Sequence, residues 1–241
     1  KNLSSYDQLI NEVNKKTSPI ALHGLSEENI AHISYALNQH LDKQILIITY
    51  DELRAKKIAE DLAFFSGENS ELFPAREVVF YDIAAHSQEV SNHRVRVMDR
   101  LIQGENIIVV TSVQSIMNKI MDKTLIEKYT IDIEMGQVID LNMLSKTFIT
   151  QGYERVDMVE GVGQFSIRGG IIDLFPVNSQ NPFRIELFDD EIDSIRIFDL
   201  KTQRSIENLT KVHIPPIKEI LTLEEELIHA TSGIESDLNA A

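Results

Sequence analysis

The chain contains no cysteine, which excludes a disulfide framework, a thiolate nucleophile and a cysteine-ligated zinc site. It is also short of positive charge. Lys and Arg number 23 against 38 Asp and Glu, a formal net charge of −15 over 241 residues. That balance argues against tight nucleic-acid binding by phosphate neutralisation, a local basic stripe aside. No run approaches 18 consecutive apolar residues, and Lys1-Asn2-Leu3-Ser4 does not read as a signal peptide. A soluble, cytoplasmic protein without membrane contact is therefore expected. Catalytic signatures are missing as well. The seven histidines form no His-x-x-x-His pair, and no serine lies in a Gly-x-Ser-x-Gly elbow. No catalytic residue, metal ligand or cofactor is expected in this chain.

What is present is an ordinary 43% of hydrophobic residues, arranged in two halves of different pattern. In residues 1–128, short apolar runs at Pro19–Leu22, Gln44–Thr49 and Asn106–Thr111 read as buried parallel strands. Helix-period stretches lie at Ser26–Leu41, Asp51–Phe65 and Gln88–Ile102. In the first of these, Ile30, Ile33, Leu37 and Leu41 make one apolar face. Ser26 and Asp51 stand where N-caps belong. Alternation of this kind predicts an α/β domain with a mostly parallel sheet. From about Tyr129 the grammar changes. A strand-like TIDIEMGQ, a short helix over Leu141–Gln151 and period-two patterning over Tyr153–Leu200 predict a small α+β domain at 129–213, built on an antiparallel sheet. Pro215-Pro216 marks a boundary, and Leu221–Ala241 reads as a polar helical tail.

Three stretches invite a chemical reading. Leu22-His23-Gly24-Leu25-Ser26-Glu27-Glu28-Asn29 stands where a phosphate-binding loop would lie, between a predicted strand and a helix. It has one glycine, no Gly-Lys-Ser/Thr, and carboxylates that repel a triphosphate, so an ordinary capped turn is the better reading. Leu187-Phe188-Asp189-Asp190-Glu191 looks like the apolar-strand-then-acid pattern that holds Mg²⁺ in nucleotide hydrolases; without a phosphate loop, a solvated hairpin turn is preferred. The hairpin Phe183–Phe188 with Ser194–Asp199 carries the better clue. Alternation sets Phe183, Ile185 and Leu187 on one face and Arg184, Glu186 and Phe188 on the other; in the second strand, Ile195 and Ile197 oppose Ser194, Arg196 and Phe198. With the isoleucines inward, Phe188 and Phe198 lie out among arginines and a glutamate, the composition of a protein–protein hot spot. Arg168 lies on a neighbouring strand before Gly169-Gly170, where a bulge or a partner backbone would fit. The alternative stands beside this: Phe188 is covered by a loop or helix, and the arginines merely pair with the abundant carboxylates.

A specific resemblance enters with Gly152-Tyr153-Glu154-Arg155-Val156, the run from Gly163 to Pro176 (GQFSIRGGIIDLFP), the run from Phe183 to Arg196 (FRIELFDDEIDSIR), Phe198-Asp199 and Thr202-Gln203-Arg204-Ser205. Together they resemble the amino-terminal region of the bacterial transcription-repair coupling factor family, Mfd, itself similar to the first domains of the excision-repair helicase UvrB. The resemblance implies a helicase-like (RecA/UvrB-type) mostly parallel sheet domain at 1–128, degenerate and without a phosphate loop. The 129–213 domain is then an insertion that binds UvrA, and 214–241 begins a return segment to the first domain. It implies a non-catalytic module that recruits UvrA by mimicking UvrB. By motif, the UvrA contacts fall on Arg168, Arg184 and Phe188, with Glu186 and Glu191 as neighbours. Other domains of the full-length chain would mask this face. The ATP-dependent motor, RNA polymerase binding and DNA binding would belong to domains not in this chain. Phe80–His86 runs nearly straight into the next helix, leaving no room for UvrB's damage-probing hairpin. The rival readings are a nucleotide-dependent DNA helicase or UvrB-like damage-recognition protein, and a purely structural domain packed against its own chain.

Overall fold

Helices and parallel strands alternate early in the chain and antiparallel strands dominate later, as the two patterns require. The computed structural model describes residues 3–76, 84–118, 120–219 and 221. In chain order the first elements are α1 (Leu3–Asn14), α2 (Glu27–Leu41), β1 (Ile45–Thr49), α3 (Glu52–Ser66), β2 (Ser70–Phe73), α4 (Ala84–Ile102), β3 (Ile108–Ser112), α5 (Val113–Met117) and α6 (Lys123–Lys128). There follow β4 (Ile131–Glu134), α7 (Leu141–Thr150), β5 (Glu154–Arg155), β6 (Gln164–Arg168), β7 (Ile171–Leu174), β8 (Phe183–Phe188), β9 (Glu191–Phe198), β10 (Ser205–Leu209) and β11 (Lys211–Ile214). Two units divide them: 1–75 with 103–118, and 76–102 with 119–241. No helix among the described residues is long and apolar enough to cross a membrane.

In the first unit, β1, β3 and β2 form a parallel sheet in that order. Ala31 of α2 and Ala55, Ile58 and Leu62 of α3 bury with Ile108 and Val110 of β3 in one core; of the expected α2 stripe, Ile30 packs against this cluster, and Ile30, Ile33, Leu37 and Leu41 are all only half-buried. Asp51 caps α3, its carboxylate accepting the Arg54 N–H at 2.7 Å. Ser26 occupies the cap position of α2 but accepts a hydrogen bond from the Asn29 side chain at 2.9 Å instead of from the backbone. One expected strand is absent. Pro19–Leu22 is irregular, with Leu22 exposed, and the third strand of the sheet is Ser70–Phe73. A four-residue apolar run is a strand only where a neighbour pairs with it; here β2 takes that pairing, although Ser70 and Glu71 make it half polar.

In the second unit a six-stranded sheet runs β10-β9-β8-β7-β6-β5, antiparallel except for β5 beside β6. Its inner face buries Phe165, Ile172, Leu174, Ile185, Ile192 and Ile195. Leu144 and Phe148 of α7 are buried too, and the Phe148 ring sits 5.2 Å from Phe165 and 5.9 Å from Tyr153. Tyr153 donates its hydroxyl proton to the Pro215 carbonyl at 2.8 Å, tying the boundary prolines to this core. A two-stranded ribbon of β4 and β11 completes the unit. Helix α4 is fastened to the segment around that ribbon by charge. Buried Arg94 donates from Nε and Nη2 to the buried Glu219 carboxylate at 2.7–3.0 Å, and His213 of β11 bridges Asp99 of α4 and Asp132 of β4. Of the stretch Phe80–His86, residues 80–83 lie outside the described residues and 84–86 open α4; the expected helical tail after Leu221 lies outside them as well.

Candidate functional site

The β8–β9 hairpin is tighter than its sequence pattern predicts. Its turn is only Asp189-Asp190, and Asp189 takes a left-handed φ of 61°, a conformation its short polar side chain tolerates. Strand β9 therefore starts at Glu191, which brings Ile192 into the core. Glu186 pairs with Ser194 and Leu187 with Ile192, so Asp193 is the bulged residue between them. The register fixes one outward face: Arg168 beside Ile171, Glu186 and Ser194; Ser166 beside Asp173, Arg184 and Arg196; Phe188 beside Glu191.

Of the three residues singled out first, Arg168 and Arg184 come together on this face, while Phe188 stands apart at the hairpin tip beside Glu191. Asp173, almost fully buried, is the hub. It accepts from Arg168 Nη2 at 2.8 Å and from Arg184 Nε at 2.7 Å and Nη2 at 2.9 Å. Arg184 Nη2 also donates to Gln203 Oε1 at 2.9 Å, and its guanidinium lies 4.4 Å over the Phe198 ring. The hydrogen bonds that Arg184 donates to Asp173 raise its pKa against partial burial, so its charge is fixed. Each guanidinium gives one edge to Asp173. Arg168, half exposed, keeps Nε and Nη1 for other acceptors; Arg184, with 20% of its side chain exposed, keeps Nη1. Phe188 is 80% exposed, with no cover among the described residues. Glu186 pairs with Arg196 and accepts from the Ser194 hydroxyl at 3.1 Å. Glu191 is exposed beside Phe188.

Two expectations need correction. Phe198 does not lie out: it is 1% exposed, because the Arg184 guanidinium caps its ring on the outer face. Gly169-Gly170 forms the β6–β7 turn, and the backbone that Gly170 admits is the chain's own. Leu187 donates its N–H to the Gly170 carbonyl at 2.8 Å, and a Cβ on Gly170 would lie 3.1 Å from the Leu187 carbonyl oxygen. Both alternatives for the arginines hold in part, since they pair internally and still present donors to solvent. Sequence reasoning missed Asp173, a lone acid in an apolar strand, whose burial was the available signal. It also passed over Arg155, which with Val156, Asp157, Ile167 and Arg168 lines an open depression of about 530 Å³ at the arginine end of the face.

The loop before α2 is built differently from a phosphate cradle. No strand feeds it, and Glu28 is held ionised by a hydrogen bond to its own backbone N–H and by Ser26. Among the described residues no three acidic or histidine side chains converge as metal ligands.

Comparison with known proteins bears on the same segment. Residues 131–220 match the model of the UvrB interaction domain, a span that holds the whole outward face. Over its full length the chain is 38% identical to the transcription-repair-coupling factor of Bacillus subtilis (strain 168), covering 21% of that protein. The corresponding proteins of Staphylococcus aureus strains RF122 / ET3-1 and USA300 are 32% identical over 81% of the chain and 17% of their own length. The chain thus spans about a fifth of the length of the curated relatives it matches.

Proposed function

We propose, from the match of residues 131–220 to the UvrB interaction domain, that this chain is a non-catalytic docking module of transcription-coupled nucleotide excision repair. It recruits UvrA by presenting the surface that UvrB presents. The observation that carries the reading is Phe188, 80% exposed at the tip of the β8–β9 hairpin beside Glu191, on the same outward face as the two arginines that Asp173 holds in place. The phenylalanine enters an apolar recess on UvrA. Arg168 and Arg184 turn their remaining N–H edges to UvrA carboxylates, and charge-assisted bonds of that kind are strong and directional. Glu186 and Glu191 flank the anchor and bias the partner's charge. In this reading the first unit is a degenerate helicase-type sheet domain that has given up nucleotide binding. The motor, polymerase-binding and DNA-binding parts lie elsewhere in a longer protein, one of whose domains covers this face until it is needed.

Calorimetric titration of purified UvrA into the protein tests the reading, with wild type and Phe188→Ala compared. Wild type binds saturably, and removal of the anchor weakens binding by about 30- to 1000-fold, the range for truncating a desolvated hot-spot aromatic. Unchanged circular dichroism assigns the loss to contact rather than to folding. Wild type that shows no binding at tens of micromolar overturns the proposal and favours an internal structural role.

A further inference from the structure

The hairpin tip is not two strands wide but three. The segment after β4 turns back along β9: Gly136 donates its N–H to the Ile192 carbonyl at 2.8 Å, Ile192 donates to the Gln137 carbonyl at 2.9 Å, and Ile139 donates to the Asp190 carbonyl at 2.9 Å. An antiparallel bridge joins Val138 to Glu191. Residues directly opposite in an antiparallel pair share a face, so Phe188, Glu191 and Val138 stand in one cross-strand row on the outer surface. Val138 is 64% exposed. The outer residues of the row are about 10 Å apart, two strand spacings. Ile171, also exposed, continues the apolar surface on β7, opposite Glu186.

A β-branched apolar residue at an exposed turn runs against ordinary turn composition, which is polar. Here three backbone hydrogen bonds made by its neighbours Gly136, Gln137 and Ile139 pin the segment to β9, so less of this chain's own backbone freedom is left to lose on binding. We infer that the docking face extends onto residues 136–139, and that Val138 is a second apolar anchor for UvrA. Glu191 between the two anchors dictates the partner's matching chemistry: a basic side chain flanked by two apolar ones. Desolvating that carboxylate without a cation opposite would oppose binding. The partner surface is therefore basic and apolar at the hairpin tip and acidic where it meets Arg168 and Arg184. This inference rests on the docking function proposed above and adds a residue and a charge order to it.

The test is calorimetric titration of UvrA into Val138→Ser, Glu191→Lys and, as a control, Ile206→Ser. Ile206 is an exposed apolar residue on edge strand β10 of the same sheet, away from the row. The inference expects Kd to rise at least about tenfold for Val138→Ser and for Glu191→Lys, and less than about twofold for Ile206→Ser. Thermal denaturation that matches wild type certifies each fold. If Phe188→Ala abolishes binding while Val138→Ser and Glu191→Lys bind as wild type does, the extension is wrong and the docking reading survives. If wild type itself fails to bind, both fall together.

Discussion

Asp173 is the residue on which the outer face turns. A carboxylate with 2% exposure in the middle of a sheet is costly unless it is paired, and here two guanidinium groups share it. The two arginines are nonetheless unequal. Arg184 makes two contacts to Asp173, roofs Phe198 and is mostly buried; Arg168 makes one contact and is half exposed. Arg184→Ala is therefore expected to destabilise the fold by about 2–4 kcal/mol, since it uncovers an aromatic ring and leaves the buried acid half-paired. Arg168→Ala is expected to cost no more than about 1 kcal/mol, as for an exposed ion pair. Urea denaturation of the two variants checks this ordering, and equal losses would contradict it. Phe188→Ala belongs with the neutral surface changes, within about 0.5 kcal/mol, which makes it the cleaner probe of binding. Alternation along Phe183–Phe188 was enough to turn Arg184, Glu186 and Phe188 outward. It could not reveal Asp173 as their hub or Phe198 as covered, because cross-strand register and a guanidinium lying on a ring are relations between strands distant in sequence.

Elements were legible where the pattern was long or strongly alternating, as in α2, α3, α7, β8 and β9. The short β2 was not, because its pairing with β3 decides it rather than its own composition. Nor did any local signal disclose the contact of α4 with the β4–β11 ribbon, which depends on His213. That imidazole faces Asp99 Oδ1 at 3.0 Å through Nε2 and Asp132 Oδ1 at 2.7 Å through Nδ1, and Lys211 lies against Asp132 at 3.0 Å. Only the doubly protonated ring donates to both carboxylates. The hydrogen bond to Asp99 raises the His213 pKa above 6.5, with Asp132 adding to it and partial burial opposing. Burial pushes Asp132 up, but the hydrogen bonds from His213 and Lys211 outweigh it and lower its pKa. A group whose pKa is raised by folding stabilises fully below its unfolded value and loses that contribution as pH climbs through its folded value. Wild type is thus expected to lose stability as pH climbs from the ordinary histidine value, about 6.5, through the raised folded value, and His213→Gln to lose much less over that range. Urea midpoints for both proteins across those pH values measure the difference. Parallel curves would remove His213 as the cause.

At the scale of the whole molecule, two features oppose the active-helicase alternative. The net charge of −15 repels polyphosphates in general, and the loop at 22–29 offers nothing local to offset it. A triphosphate is held by a strand that delivers a glycine-rich loop, by backbone N–H groups turned inward and by a lysine. Here Pro19–Leu22 is not a strand, Gly24 is the loop's one glycine, and Glu28 stays ionised in the first turn of α2. An anion at that helix end would meet a fixed negative charge where the helix dipole alone would have welcomed it. Titration with a non-hydrolysable ATP analogue is therefore expected to give no saturable signal below a Kd on the order of 1 mM. Duplex DNA is expected to leave the protein's mobility unchanged at about 0.15 M salt, where screening leaves only close-range contacts. Micromolar binding of the analogue would restore the nucleotide-dependent alternative. A Lys substituted at Gly24 or Glu28 would not by itself create such binding, since the strand that should position the loop is missing from the fold.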